Sequence, residues 1–215
     1  METITIPKGF KITPQQFDQL ANIDQQVRME LTQEGELIIM SPTGGEAGRK
    51  NRRLIQQIGI WTDQNGTGEC FDSSTLFILP NGARRSPDVS WIKLERWNTL
   101  TLKEKQGFPP ISPDFVIELV SPSERCDPAS SHGARERAPR LKNQRYSDLQ
   151  LKMQEYLENG VKLGWLIEPS AKIVEIYRLG QEKEILNHPQ TLSGENTLPG
   201  FIAIPIVMRY SSSNE

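Results

Sequence analysis

Two "SPD" tripeptides, Ser86-Pro87-Asp88 and Ser112-Pro113-Asp114, each stand immediately ahead of an apolar run. The second continues as "FVIELV", so a further carboxylate, Glu118, interrupts what otherwise reads as a buried β-strand. An ionised carboxylate without a partner is too costly to bury, so Glu118 must be ion-paired, bound to a cation, or placed at the strand's open end. Period-two alternation puts Asp114, Val116, Glu118 and Val120 on one face, with Phe115, Ile117 and Leu119 on the other. Glu118 lies late in this strand, ahead of the breaker "SPS", at the kind of sheet end where α/β proteins place ligands. If Asp88 opens a neighbouring strand, Asp88 and Glu118 converge on one hard cation. Mg²⁺ suits so sparse a supply, because it takes one or two carboxylates and fills its shell with water and phosphate oxygens. The competing readings are a strand-start turn residue for Asp88 and Asp114, and a buried salt bridge for Glu118.

Lys152 is the third candidate. In "YSDLQLKMQEYLENG" (146–160), Leu149, Met153, Tyr156, Leu157 and Gly160 form an apolar stripe, and Lys152 falls on its edge near Tyr156. From there its ammonium reaches an acidic site beneath the helix. Asp148, four residues earlier, offers a plain surface ion pair instead.

These residues need a scaffold. "TPQQFDQLANI" (13–23) reads as a short helix with Thr13 as N-cap and Pro14 at its first position. Two strands follow in 27–40 around the turn Gln33-Glu34-Gly35. Residues 44–66 read as a helix carrying Leu54, Ile55, Ile58 and Trp61 at helical spacing and stopping at Asn65-Gly66. Short apolar segments come at 75–79 and 88–92, then a polar helix-capable stretch, then the acidic strand. After the 146–160 helix, "KLGWLIEP" and "KIVEIYRL" form a hairpin, a short strand lies near 183–187, and "TLPGFIAIPIVM" finishes the chain's pattern. The expected architecture is a single α/β domain over 1–215, with helices around a mixed central sheet. One segment, about 125–145, is polar and reads as a disordered insertion.

Bulk properties narrow the function. The net charge is −2, so any binding of nucleic acid must come from local basic patches. Cys70 and Cys126 are far apart and outside any CxxC pattern, which argues against a thiolate metal site and a disulfide framework. With two histidines in the chain, a histidine-rich zinc site is not expected either. "METITIPKGF" lacks a signal-peptide core, and no run approaches the roughly 18 apolar residues of a membrane span. The reading is a cytoplasmic protein with no membrane partner. Two carboxylates also serve glycoside hydrolysis. That chemistry needs exposed aromatics around a sugar, whereas Trp61, Trp91 and Trp165 sit in apolar, core-like segments.

At these residues the sequence resembles the restriction endonuclease domain family, long catalogued in bacteria as a domain of unknown function and placed in the PD-(D/E)XK nuclease superfamily. The resemblance rests on "EGELIIMSP", "RSPDVSWI", "PDFVIELVSPS", "DLQLKMQEYLENGVKLGWLIEP" and "LPGF", which occur in the family's order and span nearly the whole chain. It implies a restriction-endonuclease-like core of helix, three strands, helix and strand (αβββαβ), with extra N-terminal strands and a C-terminal hairpin. It implies a metal-dependent nuclease hydrolysing phosphodiester bonds in DNA. Asp88 and Glu118, with the Leu119 carbonyl, would hold Mg²⁺, with Mn²⁺ as a substitute. The superfamily's lysine stands two residues after the strand acid, where this chain has Val120; the resemblance moves that role to Lys152 on the following helix. Glu46 matches the place of an additional acidic group. Arg49, Lys50, Arg52 and Arg53 would contact DNA, or else form a solvated helix face. A homodimer would set two sites across a duplex. The missing acid-X-lysine spacing leaves an alternative, a catalytically silent nuclease fold acting as a binding or regulatory module.

Overall fold

The "FVIEL" run lies at the heart of a six-stranded sheet in the computed structural model. The structure describes residues 9–23, 27–40, 42, 44–120 and 139–205, with backbone alone for 139–145. Helix α1 (Pro14–Ile23) precedes β1 (Met29–Leu31) and β2 (Leu37–Ile39), and the long helix α2 (Gly45–Asn65) follows. Gly66 ends α2 at φ 65°, its N–H bonded to the Thr62 carbonyl at 2.8 Å, a left-handed cap that glycine adopts without strain. Next come β3 (Gly68–Asp72), β4 (Phe77–Ile78), β5 (Arg84–Arg85), β6 (Val89–Lys93) and the short helices α3 (Leu94–Trp97) and α4 (Leu102–Gln106). The chain continues through β7 (Phe115–Leu119), α5 (Pro139–Glu158), β8 (Leu163–Glu168), β9 (Ile173–Arg178), β10 (Glu184–Asn187), β11 (Leu192–Ser193) and β12 (Ile202–Ala203).

The main sheet runs β10-β9-β8-β7-β6-β3. Its pairs are antiparallel except β7 with β8, which are parallel and joined through the crossover helix α5. The sequence α2-β3-β6-β7-α5-β8 is therefore the expected αβββαβ order. A smaller sheet, β2-β1-β5-β4, is built from the N-terminal strands and packs Leu31, Leu37 and Leu76 around Phe17 of α1.

Alternation along β7 sorts the two layers. Phe115, Ile117 and Leu119 face α2, where they meet Leu54 and Ile58 together with Val89, Trp91, Trp165 and Ile167. Val116 and Val120 face α5, against Met153, Tyr156 and Leu157. Glu118 shares that second face, beneath the helix that carries Lys152.

Three expectations change. Strand β3, "GECFD", pairs only with β6 at the sheet's edge, and a half-exposed edge strand carries little apolar alternation to betray it. The 75–79 segment joins the smaller sheet through β4 rather than the main one. Helix α5 begins at Pro139, not near 146, so 139–145 is helical backbone, while residues 125–138 of the expected insertion lie outside the described residues, with Cys126 and His132. No helix among the described residues is long and apolar enough to cross a membrane.

Gly68 opens β3 directly against the core. A Cβ there would stand 2.3 Å from the Trp91 ring and 2.4 Å from the Ile92 carbonyl oxygen, and the backbone oxygen cannot simply rotate away. Gly68→Ala is expected to lower unfolding stability by about 2–3 kcal/mol in urea, an overpacking cost. A midpoint matching the native protein's would contradict this packing.

Candidate active site

Antiparallel pairing of β6 with β7 sets Val89 against Ile117, and one step further in that register brings Asp88 beside Glu118. The two "SPD" tripeptides then part company. Asp88 Oδ2 accepts from the Leu119 backbone N–H at 2.9 Å, and Oδ1 accepts from Asn51 Nδ2 of α2 at 3.3 Å. Asp114, at the other end of β7, is buried and tied up structurally: it accepts from the Lys93 N–H at 2.9 Å and pairs with Arg96 at 2.9 Å and Lys162 at 2.8 Å. Although burial opposes its ionisation, those donors hold the Asp114 carboxyl below the usual range. The strand-start reading is correct for Asp114.

Glu118 Oε1 lies 2.8 Å from Lys152 Nζ and accepts from the Tyr156 hydroxyl at 3.0 Å. Both contacts are on one oxygen. A different buried strand carboxylate, Glu175, shows what full satisfaction looks like: both its oxygens accept, from Tyr146, Gln150, Tyr177 and Lys183. Burial raises the Glu118 pKa; Lys152 works against the rise, whereas Asp88 and Glu30 add to it, leaving it at about 7. Lys152 Nζ also lies 2.8 Å from Glu30 Oε1 and 5.7 Å from the Tyr156 ring centre. Burial works against charge on Lys152, but Glu118 and Glu30 outweigh it and raise its pKa, so the ammonium stays protonated at neutral pH. It turns inward to the acidic site, not outward to a surface pair.

Glu30 and Arg85 escaped sequence reasoning. Glu30 is buried in β1; it accepts from the Ser86 N–H at 2.9 Å and from Arg85 at 3.2 Å besides Lys152. Arg85 also bonds Glu155, one helical turn beyond Lys152. Burial opposes its ionisation, but Lys152 and Arg85 keep the Glu30 pKa below the usual value. Its signal was present: in "RMELT", as in "FVIEL", a carboxylate sits between apolar strand residues.

The remaining candidates lie on α2. Glu46 is 63% exposed and forms its ion pair with Arg49 at 2.8 Å; no hydrogen bond or ion pair joins it to Asp88 or Glu118. Arg49, Lys50, Arg52 and Arg53 flank Asn51, the α2 residue that does reach Asp88, and Arg52 bonds Gln56 at 3.0 Å.

The donor set fits a hard divalent cation. Asp88 and Glu118 are adjacent oxygen donors whose mutual repulsion raises the Glu118 pKa, and Glu118 Oε2 makes no hydrogen bond to the described residues. No cluster of three or more His, Cys, Asp or Glu side chains suited to a metal occurs among the described residues. Such an ion would therefore complete its shell with backbone and water oxygens, as Mg²⁺ does. Without metal, a carboxyl whose folded pKa is raised adds stability below its unfolded pKa, 4.5, and loses it as pH rises through about 7. Glu118→Gln, which mimics the protonated form, should thus stabilise the metal-free protein at pH 8 by up to about 3 kcal/mol, at 1.36 kcal/mol per unit. Urea melts in EDTA at several pH values test this. A variant equal to or weaker than the native protein at pH 8 would refute it.

The family model for Uma2, described as "Putative restriction endonuclease", matches residues 14–136 and 140–207. Among solved structures, the chain resembles the crystal structure of "a putative nuclease belonging to DUF820" from Anabaena variabilis ATCC 29413. The two share 18% identity and superpose with a TM-score of 0.63, over 84% of this chain and 89% of that one. At that identity the likeness concerns the fold, a mixed sheet flanked by helices. No curated protein matches the sequence.

Proposed function

The chain belongs to the Uma2 family of restriction-endonuclease-like proteins, and from that premise we propose that it is a divalent-metal-dependent nuclease hydrolysing phosphodiester bonds in DNA. The observation that carries this reading is the triad itself: Glu118 shares one oxygen with Lys152, beside an Asp88 fixed by the Leu119 amide.

Asp88 and Glu118, with the Leu119 carbonyl, would hold Mg²⁺ or Mn²⁺. When bound, the cation supplies Lewis-acid polarisation of the scissile phosphate and neutralises developing charge. The chain's own groups do the rest. Lys152, an ammonium with three donors, orients the attacking water and hydrogen-bonds a non-bridging phosphate oxygen as its charge grows. Because Lys152 is held protonated, it acts as a donor and not as the base. Hydrolysis forms one water oxygen–phosphorus bond and breaks one phosphorus–oxygen ester bond; the attacking water gives up a proton to solvent, and the departing oxygen takes one from solvent. Asn51 and the Leu119 N–H fix the orientation of the Asp88 carboxylate. Arg49, Lys50, Arg52 and Arg53, on the same stretch of α2 as Asn51, would neutralise backbone phosphates, which position a duplex without reading its sequence. A cytoplasmic homodimer with paired sites belongs to the same reading.

The test is purified protein with supercoiled DNA, linear duplex and RNA, each with Mg²⁺, Mn²⁺ or EDTA. The reading expects metal-dependent cleavage of DNA that EDTA abolishes and that weakens with salt. Cleavage of RNA alone would replace the substrate. Metal binding without cleavage of any of them would favour the catalytically silent binding module.

A further inference from the structure

A lysine that serves a metal site has to keep its place when the carboxylate beside it turns to the metal. Lys152 Nζ has two carboxylate partners at equal distance, 2.8 Å to Glu118 Oε1 and 2.8 Å to Glu30 Oε1. The two are not equivalent. Glu118 has an oxygen with no hydrogen bond to the described residues. Both oxygens of Glu30 are committed: Oε1 to Lys152 and the Ser86 N–H, Oε2 to Arg85. Glu30 is therefore poorly placed to bind an ion itself and well placed to hold a cation still. Arg85 extends the hold by bonding Glu155 on α5, so that Lys152, Glu30, Arg85 and Glu155 form a largely buried chain of alternating charge that starts and ends on α5. Side-chain exposure along it is 11%, 3%, 8% and 13%, low enough that water screens these pairs weakly.

The geometry points to Glu30, a residue of the smaller N-terminal sheet, as the positioning residue of Lys152: it fixes the ammonium over the site independently of Glu118. The smaller sheet is then a working part of the active site and not an appendage to the αβββαβ core. The inference rests on the nuclease reading only for the task Lys152 performs; the anchoring is a property of the metal-free chain.

The experiment follows the ¹⁵N-labelled side-chain ammonium of Lys152 in the full chain, assigned by its loss in Lys152→Arg, with single-turnover plasmid nicking alongside. In Glu118→Gln the ammonium signal should keep its slow hydrogen exchange. In Glu30→Gln, exchange should quicken by about tenfold or more, as expected for losing a charge-assisted hydrogen bond. In nicking by Glu30→Gln the maximal single-turnover rate should fall with little change in the protein concentration that gives half of it, and Glu30→Asp, which keeps the charge, should recover part of both readouts. Glu30→Asp also serves as the test variant if Glu30→Gln does not fold. Slow exchange retained in the Glu30 variants but lost in Glu118→Gln would overturn the inference, because Glu118 would then be the anchor. Equal quickening in both would overturn it too. A native protein that does not nick DNA defeats the nuclease reading, while the exchange comparison still decides the anchoring.

Discussion

Lys152→Ala is expected to lower the single-turnover rate of DNA cleavage by about 10²–10⁴-fold, the usual contribution of a positioned proton donor or charge-stabilising group. The same variant should bind Mn²⁺ at least as tightly as the native protein, because removing the ammonium leaves Glu118 Oε1 without its closest cationic competitor. Those opposite directions separate chemistry from assembly. Lys152→Arg is expected to recover little, since a planar guanidinium cannot take the place of a point charge seated between Glu30 and Glu118. Calorimetric Mn²⁺ titration beside the cleavage rates checks both halves. Cleavage within a few-fold of native in Lys152→Ala would remove the residue from the mechanism.

The second large effect is on stability. Arg85→Ala is expected to cost about 3–5 kcal/mol, the range for stripping one partner from a buried ion pair. The reason is what remains among the described residues: Glu30 keeps Lys152 and the Ser86 amide, and Glu155 keeps the side chain of Asn81. Two poorly compensated carboxylates then face each other where β1, β5 and α5 meet. Arg85→Lys restores the charge but not the fork that spans Glu30 and Glu155, so it should recover part of the loss. Urea unfolding followed by circular dichroism measures both variants. A loss below about 1 kcal/mol, the size of an exposed pair, would mean that this chain of ion pairs does not hold the site together.

Much of the site was legible because its signals are local. Proline before Asp88 and a carboxylate inside "FVIEL" mark residues that need a reason, and period-two counting put Glu118 on the face of Val116 and Val120, which the fold turns toward α5. Helical phasing put Lys152 at the edge of the apolar stripe, from which it reaches Glu118. What was not legible depends on contacts between distant segments. Glu30 meets Lys152 across 122 positions, and no pattern in "VRMEL" says that a second sheet will bury it under α5. Arg84 and Arg85 lie between the short apolar segments at 75–79 and 88–92, where two adjacent arginines carry no burial signal, yet both are buried and paired, to Asp18 and to Glu30 and Glu155. Nor is the strand-carboxylate signal specific. Glu175 carries it in "IVEIY" and is fully satisfied by neighbours that fasten α5 and the segment after β9 to the sheet. The difference between Glu175 and Glu118 is one oxygen's worth of hydrogen bonds, which only the folded arrangement reveals. Strand β3 was missed because an edge strand needs apolar side chains on few of its positions, and "GECFD" supplies few.

The central claim is that Asp88 and Glu118, with Lys152, form one metal-dependent hydrolytic site. Its most direct test is the nicking of supercoiled plasmid in Mn²⁺ by the native protein and by Asp88→Ala, purified identically and compared at equal concentration. The account predicts metal-dependent nicking by the native protein and its loss in Asp88→Ala, with both proteins folded. Equal nicking by the two, or a native protein that binds Mn²⁺ and leaves the plasmid intact, would contradict it.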